Sequence, residues 1–441
     1  MGPDGYDGGG HWSARGSTAV FGGPERKLVS TKRRVVVVGA GFGGLAACEA
    51  LAKSDVEVVL VDRHNYNTFQ PLLYQVATAG LNPGDIAYPI RAYTGVSHNV
   101  RFRQDEVTAV NFHARTVTFD EGPLIKYDFL VLAIGAGTTY FGIAGAKEHS
   151  KAIYTMEDAI AVRDMALASV ERASSHGAKE GDLTVVVVGG GPTGVEMAGA
   201  LADLRQMELS TRYSELDRSQ SRVVLVEQQD RLLGAFDPRL SAYAQRVLER
   251  RQVEVRCSQG VKEVQADRVI LDSGEVVLCQ LVVWAAGVGP ASLTETLDLA
   301  KVRGRIDVDE GLRVKGFEDV FAIGDMAAAR SRGEQRPLPQ LAQPAIQEGR
   351  FVGEQITRLI AGETTMSFHY KDKGIMATIG RRAAVAQLPG GIRLRGSIAW
   401  LAWLGLHLVF LTGVRNRTSV LLNWAWRYVS WRKGPRVIAG G

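Results

Sequence analysis

The chain is 441 residues long, 46% hydrophobic, and carries a formal net charge of +5. That length accommodates two or three domains with their own cores, and the apolar share excludes a disordered chain. So small a net charge gives no case for a nucleic-acid partner, and three cysteines spread far apart (Cys48, Cys257, Cys279) count against a redox dithiol.

Residues 1–31 are rich in Gly and polar residues and lack an apolar core segment, so they read as a flexible tail rather than a signal peptide. The folded body is therefore expected in the cytoplasm. Next comes a valine run, Val35 to Val38, leading into Gly39-Ala40-Gly41-Phe42-Gly43-Gly44 and a helix-forming stretch. A second valine-rich strand ends at Asp62. Glycines here permit a tight turn and let backbone N–H groups at a helix N-terminus approach a pyrophosphate, while the acid suits a ribose 2′-OH. The unit of 32–150 closes at Leu130 to Gly135. After a helical lead-in from Met156, the plan repeats: Val185 to Val188, then Gly189-Gly190-Gly191-Pro192-Thr193-Gly194, then a strand ending at Glu227 and a closing strand ending at Gly287. The spacing predicts an α/β fold with two Rossmann-like dinucleotide-binding domains. Two such sites in one chain imply electrons passing between two dinucleotides, FAD and NAD(P)H.

The segment Val320-Phe321-Ala322-Ile323-Gly324-Asp325 is a further apolar strand whose natural place is beside the first unit. The domain expectation is thus a flavin domain in two parts, 32–150 and 291–390, with 151–290 inserted between them. The stretch 362–389, with Ala377, Ile379, Ala383 and Val385 partly alternating, is expected to cap the flavin domain. Residues 391–441 change character. From Ser397 to Val414 only His407 is even weakly ionisable, and Trp400, Trp403, Trp424, Trp426 and Trp431 crowd this tail. Tryptophans suit the headgroup layer, and an amphipathic, basic second segment favours an interfacial helical anchor over a span. The eight histidines form no ligand-spaced cluster, so no metal is expected.

Several motifs together carry a family resemblance: Phe69-Gln70-Pro71-Leu72-Leu73-Tyr74-Gln75-Val76-Ala77, the two glycine loops, Ala322 to Asp325, and Ala342-Gln343-Pro344-Ala345-Ile346-Gln347. With the tryptophan-rich tail, the chain resembles the type II NADH dehydrogenases, the single-subunit, non-proton-pumping NADH:quinone oxidoreductases, especially their actinobacterial forms. The resemblance implies bound FAD, NADH as donor, and a membrane quinone, menaquinone, as acceptor. It also implies a homodimer lying monotopically on the cytoplasmic face of the plasma membrane. It places Gly39, Gly41 and Gly44 around the FAD pyrophosphate, Asp62 on the adenosine ribose, Asp325 on the ribityl and pyrophosphate portion, and the Val107 backbone by the adenine. Gly189, Gly191 and Gly194 hold NADH, with Glu227 on its ribose, which favours NADH over NADPH. Further cofactor contacts are expected from Phe42, Gly43, Arg63, Gly135, Gly324, Ala342 and Gln343, and around the second loop from Pro192, Thr193 and Gly287. Glu196 is expected near nicotinamide and flavin as a proton source or positioning group, and Gln343 and Gln347, four apart on a helix, as donors to a quinone carbonyl. Ferredoxin or rubredoxin reductases share both loops but require neither the apolar tail nor the A-Q-x-A-x-Q element. Sulfide:quinone oxidoreductases need redox cysteines.

Overall fold

The computed structural model describes residues 32–430 apart from 214. The tail expected at 1–31 and the end of the anchor, with Trp431, lie outside the described residues. Each valine run becomes the central strand of a parallel sheet, because a strand covered on both faces has no polar side. The chain forms β1 (Arg33–Val38), α1 (Phe42–Leu51), β2 (Val56–Asp62), β3 (Val100–Gln104) and β4 (Phe129–Leu132). It continues through β5 (Lys151–Ala152), α2 (Met156–His176), β6 (Thr184–Val188), α3 (Pro192–Thr211), β7 (Arg222–Val226), β8 (Val253–Arg256) and β9 (Leu281–Trp284). It then returns as β10 (Val320–Ala322). The first sheet is ordered β10-β4-β1-β2-β3 and the second β5-β9-β6-β7-β8. Val320 lies opposite Leu130 and Ala322 opposite Leu132, so β10 is hydrogen-bonded to a strand laid down before the second sheet begins. The outgoing and returning connections, Ala136–Thr138 and Val288–Pro290, pair antiparallel.

After β10 comes α4 (Ala342–Ile360), packed on α1. A Cβ at Gly349 or Gly353 would meet Ala46 or Ala50, so these glycines let the two helices approach at backbone distance. Three antiparallel strands follow, β11 (Ile375–Thr378), β12 (Ala384–Leu388) and β13 (Ile392–Arg395). The stretch expected to cap the flavin domain divides: Phe368 is buried in the first sheet's core, whereas the strands pack on α3 of the second unit and meet the first through the Tyr74 and Thr378 hydroxyls. Ala377, Ile379, Ala383 and Val385 are buried with Met197, Ala200 and Leu201 of α3, on the second sheet's helix. The physical cause is Gly199, which leaves room for the Ile379 carbonyl where any side chain would collide.

The chain ends in α5 (Gly396–Phe410) and α6 (Val414–Ser430). Among the described residues no helix is long and apolar enough to cross a membrane. The tryptophans depart from the sequence expectation. Trp400, Trp403 and Trp424 are buried inside the protein, and among the described tail tryptophans Trp426 alone is strongly exposed. Polar bonds hold α6 in place. Buried Asp85 accepts from the Ser419 hydroxyl at 2.6 Å and from Asn423 Nδ2 at 2.8 Å, and Asn416 Nδ2 donates to the Ala87 carbonyl at 2.8 Å.

Candidate functional site

The first glycine loop sits on β1 where three backbone constraints meet. Gly39 has φ +103°, a left-handed conformation costly for any residue with a Cβ, and its N–H donates to the Val61 carbonyl at 2.8 Å. A Cβ at Gly44 would overlap the Gly39 carbonyl, so α1 can start this close to the strand only with glycine there. Gly41 differs: nothing lies within 4 Å of where its Cβ would stand. The loop is closed beneath and open above, where a ligand's phosphates would approach N–H groups at the start of α1.

Above it lies a cavity of about 470 Å³, within the range of roughly 300–1,000 Å³ typical of small-molecule sites. One end is formed by Asp62, Arg63 and Val107, the middle by Gly39 to Gly43, Gly135, Gly324 and Asp325, and Ala342 lines it from the start of α4. The far end reaches Tyr74, Thr193 and Glu196, the last two on α3 of the second unit. The Asp62 carboxylate accepts from Ala40 N at 2.7 Å and His64 N at 2.8 Å, which aims it along the loop. Asp325 is half-buried, and desolvation raises its carboxyl, opposed by the Arg305 charge and a bond from the Tyr154 hydroxyl. A ribose-facing acid, an open phosphate loop and a second acid at mid-cleft fit an extended dinucleotide such as FAD.

The second loop repeats this geometry. Gly189 has φ +106° and donates to the Val226 carbonyl at 2.8 Å, while a Cβ at Gly194 would overlap the Gly189 carbonyl. Glu227 accepts from Gly190 N at 2.5 Å and Gln229 N at 2.7 Å, as Asp62 does from the matching positions. Gly191 is open above, like Gly41. Gly189, Gly191, Pro192, Gly194, Glu227 and Gly287 lie outside the large cavity, whereas Thr193 and Glu196 reach into it. Gly287 lies where the two connections cross, and a Cβ there would press on Phe141 and Thr139.

Glu196 is buried, and its Oε1 accepts from Thr378 N at 3.1 Å. Burial pushes its carboxyl up to about 8, partly offset by the Thr378 N–H and hydroxyl and the Trp403 indole. The carboxyl therefore holds its proton at neutral pH, the condition for a proton donor. Trp403, beside it, is stacked on His407 at 3.9 Å, and His407 is lowered by burial to about 4 and so neutral. Gln343 and Gln347 share α4, but neither lines the cavity. Gln347 is engaged at both ends of its amide: Nε2 donates to the Lys371 carbonyl and Oε1 accepts from Lys371 N, each at 3.0 Å.

With this geometry in view, comparison with known proteins is decisive. Residues 33–349 match the pyridine nucleotide-disulphide oxidoreductase family, and 373–433 match the NDH2 C-terminal domain. The type II NADH:quinone oxidoreductase NdhA of Mycobacterium tuberculosis is 38% identical over 94% of this chain and 91% of its own. This chain belongs to the type II NADH:quinone oxidoreductases. The Staphylococcus aureus type II NADH:quinone oxidoreductase is 32% identical over 82% of this chain and 91% of its own. The solved structure of NDH2 from Plasmodium falciparum in complex with NADH shares the fold, with a TM-score of 0.84 over 92% of this chain and 100% of that one at 21% identity. Within the broader oxidoreductase family this chain lacks a dithiol, since Cys48, Cys257 and Cys279 are separate free thiols.

Two groups at the cleft escaped sequence reasoning. Glu348 of α4 is buried beneath the Gly324-Asp325 turn and accepts from Gly324 N at 2.6 Å, with burial pushing its carboxyl up to about 7. Tyr154 accepts from Ala136 N at 3.1 Å and donates to Asp325, tying the end of the first sheet to the acid turn. A lone glutamate after Gln347, and a tyrosine ahead of a helix, have no spacing signature. Only their tertiary partners mark them.

Proposed function

We propose that this chain works as an FAD-dependent NADH:quinone oxidoreductase at the cytoplasmic surface of the plasma membrane, with menaquinone as its acceptor. The observation that carries the reading is one cleft in which the first loop, the Gly324-Asp325 turn and Glu196 of the second loop's helix all converge. FAD held there supplies a two-electron relay, accepting a hydride from NADH and passing the electron pair to a quinone. Asp62 and the Gly39–Gly44 loop hold its nucleotide end, and Asp325, fixed by Tyr154, its middle. Around NADH, the Gly189–Gly194 loop takes the pyrophosphate. Glu227, turned towards Gly190, takes the ribose hydroxyls and repels a 2′-phosphate. Glu196 holds a proton at its carboxyl beside the reacting rings, and Ala342 of the A-Q-x-A-x-Q helix borders the quinone's approach, with Gln343 and Gln347 on the same helix. The strand order supports reading 151–290 as an NADH domain inserted between the flavin-domain parts 32–150 and 291–390.

Docking at a membrane is supported by the outer faces of α5 and α6, where Ile398, Leu401, Val409, Leu421, Leu422 and Trp426 are exposed. Helices too short to span, with such faces, lie in the interface plane. A homodimer built partly through this region belongs to the same reading, on the family resemblance. The test is anaerobic. NADH should bleach the yellow protein, and a menaquinone analogue should restore its colour. Bleaching without recolouring would remove the quinone from the reading, and a flavin-loaded sample that does not bleach would remove NADH.

A further inference from the structure

The overall reaction, NADH + H⁺ + quinone giving NAD⁺ + quinol, takes one proton from the medium each turnover. Glu196 is buried between α3 and β11, and when substrates fill the large cavity that side is closed to water. On the other side lies a second cavity, about 50 Å³, more than the roughly 10–15 Å³ of such space that a water needs. Tyr74, Thr378, Asp203, Arg381, Trp400 and Trp403 help line it. Asp203, at its rim, keeps 20% of its side chain exposed. Tyr74 also lines the large cavity, so this residue stands in the wall between the two.

Through that wall runs a chain of buried hydrogen-bonding groups. Trp424 Nε1 donates to Gln75 Oε1 at 2.8 Å, Gln75 Nε2 donates to the Tyr74 hydroxyl at 2.9 Å, and the Tyr74 and Thr378 hydroxyls lie 3.0 Å apart. Thr378 N–H donates to Glu196 Oε1 at 3.1 Å, and the Thr378 hydroxyl lies close enough to hold down the same carboxyl. The chain has a direction, because an indole N–H can only donate. Gln75 must then accept with its oxygen and donate with its nitrogen. Tyr74, accepting from Gln75, is then free to donate its own proton to Thr378, whose hydroxyl can in turn donate towards Glu196. The terminal donor of this ordering is a tryptophan of the C-terminal helix α6.

We propose that the Tyr74 and Thr378 hydroxyls form the relay that reloads Glu196 with a proton from the second cavity, with Gln75 and Trp424 as positioning residues that set its direction. Once Glu196 has given its proton to the nascent quinol, the Thr378 proton moves to the carboxylate, the Tyr74 proton moves to Thr378, and water in the second cavity resupplies Tyr74. No bond other than O–H is made or broken, and no electron moves. This relay rests on the reading of Glu196 as proton source.

The test follows the Glu196 carboxylic acid by infrared spectroscopy as flavin-loaded enzyme, saturated with NAD⁺ and a redox-inert quinone analogue so that the large cavity is filled, is transferred to D₂O, its band assigned by loss in Glu196→Gln. Tyr74→Phe and Thr378→Val should each slow exchange of that band by about tenfold or more, and Thr378→Ser, which keeps the hydroxyl, should restore it. Trp424→Phe, which frees Gln75 to rotate, should slow exchange with both hydroxyls still present. Exchange at the wild-type rate in Tyr74→Phe and Thr378→Val overturns the relay. If Thr378→Val does not fold, Tyr74→Phe, which removes a single oxygen from a ring still packed against Trp403, decides alone. Quinone-driven recolouring separates the two ideas. Wild-type recolouring in Glu196→Gln removes Glu196 as proton source, whereas impaired Glu196→Gln with unimpaired relay variants removes only the relay.

Discussion

Glu196→Gln isolates what burying this carboxyl costs, because glutamine keeps its size and an oxygen for the Thr378 N–H but never ionises. Burial raises the group from 4.5 to about 8. At ~1.4 kcal/mol per unit, that shift corresponds to ~5 kcal/mol of stability lost when the folded chain must ionise it. The folded state holds this proton more tightly than the unfolded chain does. The group's contribution is therefore fully favourable below its ordinary value of 4.5 and is lost as pH rises towards about 8. His407 acts in the opposite sense, since burial lowers it from 6.5 to about 4 and its contribution is lost as pH falls below 6.5. Glu348, raised to about 7, is common to both proteins. Urea unfolding of flavin-loaded enzyme between about pH 5 and pH 8 should show the wild type losing ~3 kcal/mol more than Glu196→Gln over the interval. Parallel stability curves for the two proteins would refute the buried, protonated carboxyl, and with it the geometry around Thr378 and Trp403.

Three further outcomes follow from other parts of the molecule. Gly44→Val, which drives a side chain into the Gly39 carbonyl, should yield protein largely without flavin, whereas Gly194→Val should keep flavin and lose bleaching by NADH. Flavin absorbance and NADH titration distinguish the two, and equal flavin loss in both would contradict the separate roles of the loops. Asp85→Ala strips the buried acceptor from Asn82 N, Ser419 and Asn423, leaving three part-buried donors without it. A loss of about 1–3 kcal/mol is expected, with α6 newly open to protease, and an unchanged melting temperature would exclude this anchoring role. Leu401→Glu combined with Leu422→Glu should abolish sedimentation with anionic vesicles while NADH still bleaches the flavin, since both side chains are exposed and distant from the cleft. Undiminished vesicle binding would move the membrane contact elsewhere.

Local sequence was enough wherever the determining contacts lie within one β-α-β unit. Four β-branched valines in a row, ended by a glycine turn, fit a strand buried on both faces. Gly39, Gly44 and Asp62 are placed by the turn they share, and Gly189, Gly194 and Glu227 repeat them because the same backbone closure demands the same residues. Family motifs carried the reading further, to a flavin, NADH and a quinone. Side chains whose partners lie hundreds of residues away were another matter. Tryptophans at 400, 403 and 424 carry the same composition whether they face lipid or core. Here Trp424 meets Gln75 and Trp403 meets Tyr74, a pairing set by how α5 and α6 fold back on the first unit. Gln347 could have faced the cleft by helical spacing, but the Lys371 backbone takes its amide. Glu196 was visible as a glutamate after a glycine loop. What makes it hold a proton near neutrality is burial under strands and helices from the far end of the chain, which outweighs the opposing pull of its bonds to Thr378 and Trp403. Periodicity and turn chemistry are local and survive in sequence, whereas burial, and the ionisation that depends on it, exists only once distant segments have packed.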